Sequence, residues 1–154
     1  MLISRKKEEK HKQVPKNITL GIQQYHIISK FPSFEFYKYS CSNIGWIGKL
    51  KPTELSPLYT VKIEYHHRHP KVYVIEPKIL HNAPHRYEDG SLCLYYPKDM
   101  SYSEISIIAE TILPWTVEWL YYYESWLNEG IWWGPEAPHI PSSKAGQRIS
   151  RNYS

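Results

Sequence analysis

The most informative stretch of the sequence reads Pro84-His85-Arg86-Tyr87-Glu88-Asp89-Gly90-Ser91-Leu92-Cys93-Leu94, and chemistry is expected there. Asp89-Gly90 predicts a turn, because glycine adopts positive φ angles without a clash from a Cβ atom. The residues after the turn should be extended, so that Leu92 and Leu94 share one face and Cys93 lies on the other. If the leucines enter the core, the thiol of Cys93 faces outward. A free cysteine is usually buried, so an exposed thiol would point to a chemical role.

This stretch resembles the active-site motif of ubiquitin-conjugating enzymes. In that family His-Pro-Asn is followed by a polar turn ending in Gly, then a small residue, an aliphatic residue and the catalytic Cys-Leu pair. Four residues fall on the corresponding family positions, namely Pro84, Gly90, Cys93 and Leu94. Two positions differ, because Ala83 replaces the His, and His85 replaces the Asn that steadies the oxyanion.

The variant motif, followed by a Trp-rich helix, is similar to the bacterial branch of that superfamily, including the stand-alone conjugating proteins of type II CBASS anti-phage operons. The resemblance implies an α+β, UBC-like fold with an N-terminal helix, a four-stranded antiparallel meander, an active-site loop and C-terminal helices. It also implies catalytic roles for Cys93 and His85. Cys93 would carry the C-terminus of a ubiquitin-like modifier or of a cGAS-like nucleotidyltransferase as a thioester, and pass it to a lysine of a target protein.

Length and composition are those of one globular domain. The chain has 154 residues, of which 42% are apolar and 22% charged. A net charge of +4, partly from the first dozen residues, is weak support for nucleic-acid binding. No run of about 18 apolar residues predicts a membrane span, and the basic start lacks the apolar segment of a signal peptide. Two cysteines far apart in the sequence fit a reducing environment, so we expect a cytoplasmic protein.

Residues 1–16 are expected to form a basic flexible arm, residues 17–141 a single UBC-like domain, and residues 142–154 a polar tail. The first helix should begin at Asn17 or Thr19, which are both good N-caps, and end before Phe31-Pro32. Its outer face could dock a partner, as the first helix does in ubiquitin-conjugating enzymes. The plainer interpretation is a helix that covers the core.

After this helix the hydrophobic period changes to two, which is typical of β-strands. Four short strands are predicted, and an antiparallel meander is the expected arrangement. They are Phe34–Cys41, Gly45–Leu50, Tyr59–His66 and Lys71–Ile75.

Two helices are predicted after the cysteine. Ser101 and Glu104 suggest a capping box for the first, in which Ile105, Ile108 and Ile112 recur at helical spacing as far as Pro114. The second should run from about Trp115 to Asn128 and end at Gly130. This helix carries an aromatic stripe, which could bind a partner, although a stripe at this spacing more often belongs to the core. The stripe consists of Trp119, Tyr122, Tyr123 and Trp126.

The roles of Cys93 and His85 follow from thioester chemistry. Only the thiolate attacks well, and His85 or Arg86 could raise its fraction by approaching the sulfur. His85 could donate its N–H to the oxyanion or act as a base toward the incoming amine, and the sequence leaves both roles open. The alternative for Cys93 is an inert structural thiol. Cys41 lacks comparable neighbours and is expected to be a packed structural cysteine.

No cofactor or metal is expected. Several histidines suggest a zinc site, but their spacing does not provide the two pairs of ligands that zinc sites favour. These histidines are His66, His67, His69, His81 and His85. His139 could reach the rim of the active site, although exposure to solvent is the simpler expectation. The chain has no phosphate-binding glycine loop and no Walker lysine, so a separate activating enzyme would have to supply the thioester, or acyl groups would be exchanged without one.

Three functions compete at this point. The first is the thioester-forming transferase. The second is a catalytically inactive, UBC-like binding module for a partner protein, which the substitutions at Ala83 and His85 favour. The third is a cysteine hydrolase with His85 as base, although such enzymes usually take the base from a distant segment.

Overall fold

The computed structural model describes residues 19–66 and 68–136. The chain forms an N-terminal helix, four consecutive strands and a long C-terminal helix, so the predicted α+β class is confirmed. These elements are α1 (Leu20–Lys30), β1 (Glu35–Ser40), β2 (Asn43–Leu50), β3 (Tyr59–Glu64), β4 (Lys71–Glu76) and α2 (Ile112–Glu129). The predicted arm over residues 1–16 and the tail over residues 142–154 lie outside the described residues.

Helix α1 begins where the sequence predicted. The side chain of Thr19 accepts a hydrogen bond from the backbone N–H of Ile22, which satisfies one of the free donors of the first turn. Ile27 is fully buried, whereas Tyr25 and Ile28 on the outer face are exposed. The helix therefore covers the core with one side and presents apolar residues to solvent with the other.

The four strands form an antiparallel sheet in the order β1-β2-β3-β4, which confirms the predicted meander. On β3, Tyr59, Val61 and Ile63 are buried, while the residues between them are partly exposed. This is the alternation expected for a sheet with one face on the core. In β2, Gly48 leaves the space that the ring of Phe34 occupies, since an added Cβ would lie 2.3 Å from that ring.

The prediction of two helices after the cysteine is wrong. Among the described residues that follow Cys93, α2 is the only α-helix; it begins at Ile112, and short 3-10 turns precede it at Pro97–Asp99 and Ile108–Glu110. The backbone N–H of Ile108 donates to Gln23 Oε1 of α1, which draws this segment onto α1. Glu104 pairs with Arg68 at 2.7 Å, and Pro114 is tolerated because it lies in the first turn of α2.

The predicted end of α2 is confirmed. Gly130 follows the helix with a φ of 72°, and its N–H donates to the carbonyl of Trp126. Trp119 and Tyr123 of the aromatic stripe are buried in the core, and Trp126 packs at its edge. In the part of the chain that the structure describes, no helix combines the length and apolar character needed to cross a membrane.

Candidate active site

The predicted turn at Asp89-Gly90 closes a small hairpin. The backbone N–H of Gly90 donates to the carbonyl of Tyr87 at 2.9 Å, and Gly90 adopts a φ of 86°. The N–H of Tyr87 donates in turn to the carbonyl of Ser91. We call residues 84–94 the cysteine hairpin. Its second arm is anchored on the sheet, because the N–H of Leu92 donates to the carbonyl of Val72 in β4.

Asp89 stabilises the turn from within. One carboxylate oxygen accepts from both the backbone N–H and the hydroxyl of Ser91, and the other accepts from the ammonium group of Lys71 at 2.8 Å. The hydrogen bond from Lys71, followed by those from Ser91, holds the pKa of Asp89 well below its usual range. Asp89 is therefore a structural anion that ties the hairpin to β4.

The prediction that the thiol of Cys93 faces outward is wrong. Cys93 is 1% exposed and its neighbour Leu92 is 5% exposed, so both faces of the extended run are covered. The run lies between β4, which Leu92 contacts through Val72, and α2, whose Trp119 bonds to His85. Burial raises the pKa of the Cys93 thiol to about 12, only partly offset by a side-chain hydrogen bond with Tyr87. In this arrangement burial favours the protonated form of the thiol over the nucleophilic thiolate.

Tyr87 is the side chain that links the thiol to the surface. It hydrogen-bonds Cys93, yet it lies at the hairpin turn and is 43% exposed. Tyr87, Leu92, Leu94 and Tyr95 line a mostly apolar groove of about 580 Å³. We call this the hairpin groove, and it runs beside the chain on both sides of Cys93.

The backbone of His85 is held in an unusual conformation. Its φ of 59° lies in the left-handed region, which few residues other than glycine adopt. Its carbonyl accepts two hydrogen bonds, from the N–H of Cys93 at 2.9 Å and from the indole N–H of Trp119 at 3.1 Å. Such strain amounts to about 1–3 kcal/mol and persists only where neighbours impose it, which is common at functional sites.

The imidazole of His85 is buried. Among the described residues, neither ring nitrogen has a hydrogen-bond partner, and the residue is 2% exposed. Trp132 packs on the ring with centroids 4.5 Å apart, and Glu136 Oε1 lies 3.8 Å from Nε2. Burial lowers the pKa of His85 to about 4, so the ring is neutral at physiological pH.

His85 lines a second cavity, of about 560 Å³, together with residues that include Pro84, Trp126, Trp132 and Glu136, although the nitrogens of its ring are buried and closed off from solvent. This cavity shares no lining residue with the hairpin groove. Cys93 and His85 meet through their backbones, and an approach of the imidazole to an acyl group on Cys93 stays a prediction. Arg86 does not assist the thiol, since its guanidinium points to the carbonyls of Ile79 and Leu80.

The other cysteine also differs from expectation. Cys41 is exposed, because β1 ends at Ser40 and Cys41 lies in the turn before β2. The prediction of a packed structural cysteine is wrong there. The alternating pattern of a strand does not show at which residue the strand ends and the chain turns back.

Within residues 19–66 and 68–136, no three His, Cys, Asp or Glu side chains are close enough together to hold a metal ion. His66 lies 3.3 Å from Glu64, His69 bonds the hydroxyl of Tyr95 at 3.0 Å, and His81 is exposed. His67 and His139 lie outside the described residues.

Sequence reasoning missed four residues that shape the site, namely Tyr87, Trp119, Trp132 and Glu136. Trp119 was assigned to a helix but not to a bond with the hairpin. Gly134 is the residue that could have indicated how the segment after α2 packs. A Cβ there would lie 2.7 Å from both Trp132 Nε1 and the ring of Tyr122. A glycine between two aromatic residues and Glu136 indicates a close approach of the chain.

Comparison with known protein families finds a match that includes this region. The family model described as E2-CBASS, type II CBASS E2 protein, matches residues 23–140. The match covers more than half of the chain and includes the sheet, the cysteine hairpin and α2. Among curated proteins, none matches the chain.

Proposed function

The chain belongs to the family of type II CBASS E2 proteins, which gives it a conjugation-related role in CBASS, and from that premise we propose that Cys93 is its acyl-carrying nucleophile. The acyl group is the C-terminus of a ubiquitin-like modifier or of a cGAS-like nucleotidyltransferase. The final acceptor is an amine of a target protein, and the process serves anti-phage defence.

One observation carries this proposal: the motif residues of the cysteine hairpin keep their spacing within the matched family region. Pro84 and Gly90 frame a hairpin that ends in Cys93-Leu94, and its turn is held by Asp89. The strained backbone of His85, bonded directly to the N–H of Cys93, further supports a functional hairpin.

The chemistry consists of two acyl transfers. In the first, the sulfur of Cys93 attacks the thioester of a separate activating enzyme, a new C–S bond forms, and the enzyme's sulfur leaves and takes up the proton that Cys93 loses. In the second, a lysine amine attacks that carbonyl carbon, the C–N bond forms and the C–S bond breaks. Cys93 leaves as the thiolate, and the proton released by the amine returns to it or to water.

The buried thiol requires an opening step before the first transfer. With a pKa of about 12, roughly one thiol in 10⁵ is ionised at pH 7. Tyr87 hydrogen-bonds the sulfur and also lines the hairpin groove. Displacement of its side chain would therefore open a path from the groove to the sulfur. An extended C-terminal tail entering that groove would lie beside Leu92 and Leu94 and supply the displacement.

His85 acts as a hydrogen-bond donor in this proposal. Because burial lowers its pKa to about 4, the imidazole is a weak base at neutral pH. A neutral ring still carries one N–H, which can stabilise the oxyanion formed when the amine attacks. Loss of one such donor typically costs about 2.7–4 kcal/mol.

Adduct formation tests the proposal. The chain is incubated with the activating enzyme and the modifier or nucleotidyltransferase of its own operon, then analysed with and without thiol reductant. Wild type should form a reductant-labile adduct, Cys93→Ser a reductant-stable ester, and Cys93→Ala neither. Cys41→Ser is the matched control and should behave as wild type. If wild type forms no labile adduct with any modifier of the operon, the transferase function fails.

A non-catalytic binding module is the second candidate, and two observations favour it. The thiol of Cys93 is buried, which raises its pKa, and α1 presents Ile22, Tyr25 and Ile28 to solvent. In this case Cys93→Ala keeps protection against phage, whereas Tyr25→Asp on α1 abolishes it. The opposite pattern, with protection lost in Cys93→Ala, removes this candidate.

A further inference from the structure

The outer edge of β1 is an open row of backbone hydrogen-bonding groups. Among the described strands β1 is an outer one, and β2 is the strand that pairs with it. The other outer strand, β4, is different, because the carbonyl of Val72 on its outer edge accepts from the N–H of Leu92 in the cysteine hairpin. An open edge is a template for a further strand, and native proteins usually shield it.

The hydrogen bonds of β2 show which groups of β1 point away from the sheet. The N–H and the carbonyl of Lys49 both bond the hydroxyl of Ser33, so the backbone of Lys49 faces β1. Ile47, two residues earlier, faces the same way and lies opposite Glu35, whose backbone therefore points inward. Successive residues of a strand point their backbone groups to opposite sides. The residues of β1 whose N–H and C=O groups point outward are accordingly Phe36 and Lys38.

Aromatic side chains are exposed on both faces of this edge. Tyr37 and Tyr39 share one face, with ring centroids 5.5 Å apart, and Tyr39 is 77% exposed. Phe36 lies on the other face, 5.8 Å from the ring of Trp46, and is 38% exposed. Aromatic residues exposed beside an open edge are typical of a surface that packs on a partner.

One register lets β1 pair antiparallel with β1 of a second copy without conflict. Opposite residues share a face, so Phe36 can lie opposite itself, Lys38 opposite itself, or Phe36 opposite Lys38. Lys38 opposite itself brings two ammonium groups together. Phe36 opposite itself places Lys38 opposite Phe34, whose N–H already donates to the carbonyl of Phe31. Phe36 opposite Lys38 satisfies every outward N–H and C=O of these two residues in both copies.

We propose that two copies of this chain form a symmetric dimer in which their β1 strands pair in this register and join two sheets into one. Tyr37 lies at the twofold axis, opposite Tyr37 of the second copy, and Glu35 lies opposite Tyr39. The same edge serves both copies, so the assembly closes at two. The dimer does not rest on the proposed function, because the cysteine hairpin lies against β4, at the opposite edge of the sheet.

Sedimentation equilibrium on the full chain tests the stoichiometry. The expected result is a reversible equilibrium between monomer and dimer that shifts with protein concentration. A chain that stays monomeric at every concentration would overturn the proposal. A series of species larger than the dimer would overturn a pairing that closes at two copies.

Disulfide trapping tests the register, in variants that all carry Cys41→Ser to remove the exposed native thiol. Tyr37 and its symmetry mate form a pair without backbone hydrogen bonds, with Cα atoms about 4.5 Å apart, which a disulfide can span. Under mild oxidation Tyr37→Cys should therefore cross-link at least about tenfold faster than Lys38→Cys. Lys38 is the more exposed residue but lies opposite Phe36, so random collision would favour it. Equal rates, or a faster Lys38→Cys, would overturn the register.

A second variant places both cysteines at exposed positions, because Tyr37 is partly buried and its substitution can perturb folding. In the same Cys41→Ser background, Glu35→Cys combined with Tyr39→Cys should cross-link two copies, since each cysteine faces the other across the interface. Either substitution alone should cross-link about tenfold more slowly. A folded double variant that cross-links no faster than the single variants would overturn the register.

Charge changes at Tyr39 test the same pairing in solution. Tyr39→Lys places an ammonium group opposite Glu35 and should lower the dimer Kd, whereas Tyr39→Glu should raise it, each by about three- to tenfold. Combining Tyr39→Glu with Glu35→Lys should restore the wild-type Kd. Tyr121→Glu, at an exposed position of α2, is the matched control and should leave the Kd unchanged. Equal weakening by Tyr39→Lys and Tyr39→Glu would overturn the pairing with Glu35.

Discussion

The two cysteines of this protein occupy two hairpins with opposite environments. Cys41 lies at the turn between β1 and β2 and is exposed, whereas Cys93 ends the cysteine hairpin and is 1% exposed. The first hairpin lies at the edge of the sheet, since β1 is the outer strand in the order β1-β2-β3-β4 of the described strands. The second is enclosed between β4 and α2. The comparison shows that thiol exposure depends on what packs over a hairpin, and less on its own residues.

The hairpins also differ in how their polar groups are satisfied. At the edge hairpin, the hydroxyls of Ser40 and Ser42 lie 3.4 Å apart and remain open to solvent. At the cysteine hairpin, a strained His85 holds in the interior an imidazole for which the described residues supply no hydrogen-bond partner. Among the described residues the edge hairpin also has a buried polar atom without a hydrogen-bond partner, the hydroxyl of Tyr37 on β1, so the two hairpins differ in the group that is left unpaired, a phenol in one and an imidazole in the other.

The largest expected difference is in alkylation rate. In the native protein Cys41 should react readily with iodoacetamide, and Cys93 should react about 10³-fold more slowly than in urea, because its pKa is raised from an ordinary 9.0 to about 12. Intact-mass measurements on Cys41→Ser and Cys93→Ser assign each rate. Similar alkylation rates of Cys41 and Cys93 in the native protein would contradict the difference in burial between the two hairpins.

The second effect concerns acid stability. Unfolded His85 takes up a proton as the pH falls through about 6.5, whereas the folded chain resists protonation until about pH 4. The unfolded state therefore gains protons first, and wild type should lose about 2 kcal/mol of unfolding free energy between pH 7 and 4.5 relative to His85→Asn. Urea unfolding at both pH values measures this.

His81→Asn, at an exposed position ahead of the same hairpin, controls for the loss of an imidazole. It should follow wild type. Parallel stability profiles of wild type and His85→Asn would show that the imidazole of His85 is not buried in the folded protein.

A smaller effect on the alkylation rate of Cys93 should distinguish the role of the Tyr87 ring from that of its hydroxyl. Tyr87→Ala removes the ring and should raise the alkylation rate of Cys93 about tenfold by admitting solvent to the sulfur. Tyr87→Phe keeps the ring but removes the hydrogen bond that lowers the thiol pKa, so it should not accelerate the reaction. An equal rise in both variants would mean that the hydroxyl, and not the ring, keeps Cys93 closed.

The smallest effect is expected at Asp89. Its ion pair with Lys71 is largely exposed, so Asp89→Asn should reduce stability by about 0.2–1 kcal/mol. It should also loosen the turn and raise alkylation of Cys93 a few-fold, roughly in proportion to that loss. Glu110→Gln breaks a comparable exposed pair with Lys30 and should leave Cys93 unchanged. Equal alkylation rates of Cys93 in Asp89→Asn and Glu110→Gln would mean that the turn does not keep the thiol inaccessible.

Much of the fold was accessible from local patterns. The alternation of Tyr59, Val61 and Ile63 predicted β3, and Thr19 and Gly130 marked a helix start and a helix end. These signals work because capping, turn formation and strand alternation involve residues that are close in sequence. The helix predicted over Ile105 and Ile108 failed because Gln23, far away in the chain, takes the N–H of Ile108.

The sequence by itself determined the family, the meander and a turn that leads into Cys93. Only the tertiary structure decided that this sulfur is buried and that the imidazole of His85 is neutral and faces Glu136. The physical reason is desolvation. Burial and pKa depend on Trp119, Trp132 and Glu136, which approach the hairpin only when α2 and the segment after it pack on the sheet. No spacing within the motif encodes that contact.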